Sequence, residues 1–406
     1  AASQSATDVQ LSSGLTPEDG ARVLDALAFV RPIYTGKAVV AGQDAFEFSQ
    51  GVAATLAQLK TDADTRIAGL LFELPVIDPK AAETIDASFG KEISDLVTGT
   101  RQLMRLHEVT FGQQEVGRGK NAAQQAAAQL ETLRKMLLAM ATDMRVVLVR
   151  LGSRVTTLRY FADLKLESET TYQYARETID LYAPLANRLG VWQLKWELED
   201  LSFRFLEPST YKRIAKMLEE KRMEREGFVD RSIARLKSEL AAADIKAEVF
   251  GRPKHIYSIW NKMRGKAIDF SELYDVRAFR VIVDDIKTCY AVLGIVHNIW
   301  TPIPKEFDDY ISRPKTNGYR SLHTVVVAED GRALEVQIRT NEMHHFAEYG
   351  VAAHWRYKEA GGSNFSAQKY DEKIAWLRQL LAWKSEVADA VVGQDDELRR
   401  DWGEKL

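Results

Sequence analysis

The stretch "LHTVVVAEDGRALEVQIRT", residues 322–340, decides how the C-terminal part of the chain folds. It holds two short runs rich in β-branched residues, parted by Asp330-Gly331, and both read as strands. The second run alternates strictly. Leu334, Val336 and Ile338 fall on one face, and Glu335, Gln337 and Arg339 on the other. Two readings of that polar face stand open: a half-exposed strand of an antiparallel sheet, or a polar cleft floor. Working outward, "KAEVFG" (246–251) and "VRAFRVIVDD" (276–285) also read as strands. The patterns "IYSIWNKMRG", "IKTCYAVLGIVHNIW" and "NEMHHFAEYGVAAHW" between and after them read as helices. The expected C-terminal fold is therefore α+β, a sheet with helices on it. "EFDDYISRPKTNGYRSLH" (306–323) reads as a loop carrying acids, bases, an Asn-Gly turn and an aromatic.

Upstream, residues 17 to about 240 read as helices. "TPEDGARVLDALAFV" begins with Thr16 as N-cap, Pro17 at the first helical position and an acidic first turn. "ETTYQYARETIDLYAPLANRLGVWQLKWELEDLSFRFLEP" reads as two helices broken around Pro184 and Gly190, and residues 211–245 as a long amphipathic helix dense in opposite charges. The polar run "GQQEVGRGKNAAQQAAAQ" reads as a solvated loop or a frayed helix start.

The 406 residues suffice for two or three domains, and 46% hydrophobic with 28% charged residues is ordinary for a globular chain. A net charge of −3 excludes a polycation that coats nucleic acid, so any basic surface is local. Cys289 is the single cysteine, which excludes an internal disulfide and a cysteine-based metal cluster and fits a reducing cytoplasm. No apolar run is long enough to span a bilayer, and the N-terminus lacks an export pattern, so no membrane partner and a cytoplasmic location are expected.

Chemistry concentrates after residue 250. "GRPKHIYSIWNKMRGK" (251–266) holds Arg252, Lys254, His255, Lys262, Arg264 and Lys266 and no acid. Lys254, Ser258 and Lys262 are four apart and share a helical face near the helix start, which suits an anion such as phosphate. A merely solvated basic helix is the alternative. Asp275 stands ahead of a strand, with Arg277 and Arg280 after it. Asp275 and Glu335 would give two carboxylates for a divalent metal; a cap or an ion pair is the plainer reading of Asp275.

Taken together, "GRPKHIYSIWNKM", "ELYDVRAFRVIV", "KTNGYRSLHTVV", "EVQIRTNEMH" and "AEYGVAAHWRYKE" resemble the synthetase domain of the RelA/SpoT family, almost unbroken from about 250 to 359. The resemblance implies an enzyme that moves pyrophosphate from ATP to the 3′-hydroxyl of GDP or GTP, making (p)ppGpp with Mg²⁺ as cofactor. It implies a mixed-sheet, nucleotidyltransferase-like domain. Carried over by position, Arg252, Lys254, Ser258, Lys262 and Arg280 would lie on the ATP side, and Lys315, Asn317, Tyr319 and His323 on the GDP/GTP side. Tyr319 would stack on guanine. Asp275 and Glu335 would be catalytic and metal-binding, with Gln337 and Arg339 in support. Glu306, Asp308 and Asp309 would match the acidic Glu-x-Asp-Asp of synthetase-only members, where bifunctional members read Arg-x-Lys-Asp.

The same family implies an HD-type hydrolase frame upstream. Here Phe48, Phe72, Glu73, Val76, Ile77, Ser153, Thr156 and Thr157 stand where its metal ligands and their neighbours belong. The expectation is an all-helical, degenerate HD-type domain without hydrolase activity over 1–205, then linking helices (206–245), the synthetase domain (246–360) and a C-terminal helix and tail (361–406). A bifunctional synthetase and hydrolase is one rival, and a basic nucleic-acid-binding module using 251–266 is another. Ribosome and uncharged tRNA would act only through a regulatory half that long members carry and this chain lacks.

Overall fold

The computed structural model describes residues 6–115, 143–220, 222–252, 255–266, 277–315 and 317–350. Lys254, Asp275, the polar run from residue 116 and the tail 361–406 lie outside the described residues. The described chain forms two compact units, one running to Arg188 and one from Leu189 to Gly350.

The first unit is helical. Its principal helices are α1 (Pro17–Tyr34), α2 (Ala45–Gln58), α3 (Ala63–Leu71), α4 (Lys91–Glu115), α5 (Arg145–Asp163), α6 (Glu169–Glu177) and α7 (Ala183–Arg188). The starts of α1 to α3 are written in the sequence. Thr16, Asp44 and Asp62 each accept backbone N–H groups of the first turn, and Pro17 takes a position whose N–H no helix bond needs. The apolar faces of α2, α3 and α5 close on one another through Val52, Leu56, Ile67, Leu70, Val149 and Val155, all buried. The α2–α3 approach needs Gly69, where a Cβ would come within 2.7 Å of a Leu56 methyl. Pro184 does not break its helix as expected. The chain widens into a π-helical turn at Thr178–Tyr182, closed by the Ala183 N–H on the Thr178 carbonyl, and this absorbs the N–H that proline lacks. The break falls at Gly190, whose φ of +67° suits glycine.

The second unit begins with α8 (Trp192–Leu206), α9 (Pro208–Glu220) and α10 (Arg222–Ala242). Here α8 packs on the elements around the sheet, whereas the sequence grouped residues up to 205 with the helical domain. The sheet has strands β1 (Glu248–Gly251), β2 (Ala278–Val283), β3 (Thr301–Asp309), β4 (Leu322–Val327) and β5 (Ala333–Thr340), in the order β1-β2-β5-β4-β3. Only β2 and β5 run parallel; the other pairings are antiparallel. Helices α11 (Ile256–Lys266), α12 (Ile286–Ile299) and α13 (Asn341–Tyr349) complete the unit. The expected α+β layout is present.

One strand was not anticipated. β3 takes in Glu306–Asp309, read as loop, because Pro302 and Pro304 and the charges mask its pattern. Prolines are tolerated there because β3 lies at the sheet edge, and its ladder with β4 is irregular between Pro302 and Phe307. On one sheet face Phe279, Val281, Leu322, Val326, Leu334, Val336 and Ile338 join Val292 and Val296 of α12 and Leu236 and Leu240 of α10 in a buried core. That core fixes the register, since a one-residue slip would turn the polar residues of β5 into it.

Candidate active site

The opposite sheet face is polar and buried. All eight residues of β5 are buried, Gln337 and Arg339 to 1% exposure, so the half-exposed strand is ruled out and the polar row lies covered. Register aligns one row across all five strands: Phe250, Arg280, Gln337, His323 and Asp308. Glu335 sits beside that row. Its Oε2 accepts from Arg252 Nη1 at 3.0 Å, and its Oε1 accepts from Gln337 Nε2 at 3.0 Å. The imidazole Nδ1 of His323 is 3.9 Å from Oε1.

Cations outnumber acids on this floor. Arg280 donates to Glu348 at 3.2 Å, and Arg339 reaches His344 Nδ1 at 2.6 Å and Glu348 at 3.4 Å. Burial, together with the neighbouring Arg339 and Arg252, pushes Arg280 down to about 10. Burial also lowers Arg339 and Lys315, the latter with Lys195 and Arg252 nearby. The Nε–H groups of Arg280 and Arg339 are buried without acceptors. Buried unpaired donors of cationic groups are costly unless an acceptor meets them.

The loop before β4 supplies the aromatic side. The Asn317 side chain accepts from the Tyr319 N–H at 3.2 Å and so fixes the turn. Gly318 has a φ of +80°, and a Cβ there would meet Phe346 at 3.1 Å. The turn presents Tyr319, whose hydroxyl hydrogen-bonds His323 Nε2 at 2.8 Å. Lys315 Nζ lies 4.5 Å above the Tyr310 ring and 5.7 Å above that of Tyr319. Asp309 serves the fold: it accepts from the N–H groups of Ile311 and Ser312 and from the Tyr290 hydroxyl. Asp308 is exposed beside His323, and Glu306 is half-buried on the same strand.

Burial pushes the His323 imidazole down to about 3, against Glu335, which draws it up. The unfolded imidazole takes up its proton first, near its usual value of 6.5, so stability is present above that value and is lost as pH falls from 6.5 toward 3. Melting temperatures across that window should fall more steeply for the natural chain than for His323→Gln. Parallel curves would show that His323 carries no such burden.

The basic helix α11 differs from expectation at its start. The carboxylate of Asp200, on α8, accepts from the N–H groups of Ile256 at 3.3 Å and Tyr257 at 2.8 Å. A protein carboxylate thus occupies two of the N–H groups at this helix start. Ser258 is half-buried and Lys262 exposed on this helix. Sequence reasoning missed Glu348, His344 and Trp192, because nothing local marks a residue that reaches the sheet from another helix.

In the helical unit, Phe48 and Phe72 meet edge-to-face at 5.9 Å, both buried. Glu73 forms a buried ion pair with Arg101 at 3.2 Å. Ser153, Thr156 and Thr157 each donate to a carbonyl of their own helix. Val76 is exposed. Among the described residues no three His, Cys, Asp or Glu side chains converge as a metal site. Phe72→Ala should destabilise this unit by about 3–5 kcal/mol, as loss of a fully buried ring does. Denaturant unfolding of the purified chain reads it, and a cost below about 1 kcal/mol would mean the ring pair is not core.

Residues 26–192 match the HD domain family, and residues 251–362 match the family described as a region found in RelA/SpoT proteins. A GTP pyrophosphokinase of Photobacterium angustum is 45% identical over 335 residues, which cover 82% of this chain and 44% of that protein. A protein of Synechocystis named probable guanosine-3′,5′-bis(diphosphate) 3′-pyrophosphohydrolase is 42% identical over 367 residues, covering 90% of this chain and 46% of its own length. The chain thus spans less than half the length of these relatives. Small alarmone synthetase 1 of Bacillus subtilis, solved with pppGpp, is 23% identical with a TM-score of 0.30, over 46% of this chain and 98% of that one. The two domain matches and the relatives support the RelA/SpoT family.

Proposed function

We propose, on that family relationship, that the chain is the catalytic part of a (p)ppGpp synthetase, an ATP:GTP/GDP 3′-pyrophosphotransferase that releases AMP. The observation that carries this reading is the buried, cation-rich floor around Glu335, with two guanidinium Nε–H groups lacking acceptors. A polyphosphate supplies the missing acceptors. ATP would lie toward Arg252 and Arg280, with Lys254, Ser258 and Lys262 from the neighbouring segment, and the guanosine nucleotide toward Lys315, Tyr319 and His323. Gln337 and Arg339 hold the floor between them.

In the proposed reaction the 3′-oxygen of GDP or GTP attacks the β-phosphorus of ATP. A new P–O bond forms, the bond from the β-phosphorus to the α–β bridging oxygen breaks, and AMP leaves with its electron pair. Glu335 takes the hydroxyl proton. In the free protein Arg252 masks this carboxylate at 3.0 Å. Incoming phosphate competes for Arg252, which frees Glu335 when substrate is in place. Mg²⁺ takes oxygen ligands from one or two carboxylates and completes its shell with water and phosphate, so Glu335 with Asp275 fits it in donor chemistry. Bound there, it would neutralise charge on the transferring phosphates. Labelled ATP incubated with Mg²⁺ and GDP or GTP should put label on guanosine tetra- or pentaphosphate. Absence of labelled product with both acceptors would sink the assignment.

The helical unit is proposed to be a degenerate HD domain that no longer hydrolyses (p)ppGpp. Phe48 and Phe72 fill with packed rings the positions where ligands would stand, and Ser153, Thr156 and Thr157 spend their hydroxyls on their own helix. The Synechocystis relative's name keeps a bifunctional reading in play. Release of pyrophosphate from ppGpp by the purified chain with Mn²⁺ would establish it. A response to ribosome and uncharged tRNA is assigned to the part of the longer relatives that this chain does not span. No described helix is long and apolar enough to cross a membrane.

A further inference from the structure

Trp192 opens α8 and is only 7% exposed. Its ring centroid is 4.4 Å from that of Tyr319, with the planes tilted by 56°. It is nearer than His323, at 5.6 Å, or Tyr310, at 6.1 Å. The contact is neither an offset stack nor an edge-to-face pair, the two arrangements that aromatic quadrupoles favour. The indole Nε1–H is buried with no acceptor. A tryptophan placed only for packing commonly finds a partner for that group, so an orphaned donor beside a candidate base-stacking ring points to a ligand. The same helix carries Lys195, buried one turn on, whose charge bears on Lys315 of the guanosine side. The helix follows Gly190, a left-handed glycine packed against Gly350.

We propose that Trp192 is the second wall of the guanine slot: Trp192 and Tyr319 form an aromatic clamp that is collapsed on itself when empty, opens to take the base between its rings, and gives the indole N–H an acceptor on the guanosine nucleotide. This rests on the proposed assignment of Tyr319 to the guanosine side. The clamp explains why Tyr319, 7% exposed, is covered at the place where a base must lie. It adds a recognition element from a helix outside the sheet, and its N–H would favour a base that offers an acceptor at that edge.

The test is GDP binding to the whole chain by calorimetry and by tryptophan emission, in the natural protein, Trp192→Phe, Trp192→Leu and Tyr319→Ala. A non-hydrolysable ATP analogue serves as the control for an intact fold. Trp192→Leu should weaken GDP by roughly 10- to 100-fold, the range expected for loss of a stacking platform, and leave the ATP analogue unchanged. Trp192→Phe keeps a ring and loses the N–H, so its loss should be smaller, and the emission change that GDP causes should diminish with it. Unchanged GDP affinity in Trp192→Leu overturns the clamp. Tighter GDP binding also overturns it and makes Trp192 a plug. If Tyr319→Ala binds GDP as well as the natural chain, the guanosine assignment itself fails. If Tyr319→Ala loses GDP and Trp192→Leu keeps it, the clamp alone fails.

Discussion

Glu335→Gln lowers kcat for pyrophosphate transfer by on the order of 10²–10⁴-fold, the range that a positioned acid–base group supplies. The substitution keeps the size of the side chain and one carbonyl oxygen. Gln337 therefore retains an acceptor, and the β5 packing is not disturbed. What goes is the negative charge that Arg252 meets at 3.0 Å and the capacity to take the hydroxyl proton. Arg252 is left without its counter-charge on a floor that already crowds Arg280 and Arg339, so some stability is lost as well. Arg252 remains a fifth exposed in its side chain, so water softens that loss. The two effects separate experimentally. Melting reports the stability, and single-turnover transfer with saturating nucleotides reports the chemistry. A variant that folds and turns over at the natural rate would remove Glu335 from the catalytic role and leave it as the partner of Arg252.

The parts of this site that were legible in the sequence are those with a local period. The alternation of Leu334, Val336 and Ile338 against Glu335, Gln337 and Arg339 predicts a two-faced strand, and the structure turns the polar set into a buried floor. Caps were equally readable, because Thr16 acts within three residues of itself. The features that escaped are those whose cause lies far along the chain. Asp200 caps α11 from 57 residues away in its bond to Tyr257, and nothing in "GRPKH" announces that its helix start is already occupied. Arg280 and Glu348 meet across 68 residues. β3 was hidden for a different reason. Two prolines and a run of charges imitate a loop, yet an edge strand tolerates both, since one of its sides needs no ladder bonds. Pro184 misled in the opposite direction, because a π-helical turn lets a helix pass a proline that an α-helical turn would not.

If the helical unit is the degenerate HD domain proposed above, its packing shows how a fold can outlive its chemistry. Metal ligands converge because a frame brings their positions together. Phe48 and Phe72 come from different helical segments and meet as rings. A buried ring contributes roughly 1.5–3 kcal/mol of hydrophobic stabilisation, so phenylalanines at such positions would make core of a site that otherwise needs metal. Glu73 keeps its carboxylate but gives it to Arg101. On that proposal the packing alone would keep the unit folded.

Tyr319→Ala raises KM for GDP or GTP by roughly 10- to 100-fold, the equivalent of about 1–3 kcal/mol per stacked base, with a smaller effect on kcat and little on KM for ATP. The separation follows from where the ring stands. Tyr319 sits on the turn at Asn317-Gly318, and its hydroxyl hydrogen-bonds His323 and also meets the Arg339 guanidinium. Alanine removes the stacking plane and that bond together, so Tyr319→Phe is needed beside it. Phenylalanine keeps the plane and leaves His323 Nε2 without its partner. If stacking dominates, Tyr319→Phe holds KM near the natural value. If the His323 link dominates, because it orients the imidazole beside Glu335, Tyr319→Phe lowers kcat while KM stays put. Should Tyr319→Ala leave KM for both guanosine nucleotides unchanged, the ring is packing for Ala347 and Trp192 and nothing more, and the guanosine side must be sought elsewhere on the floor.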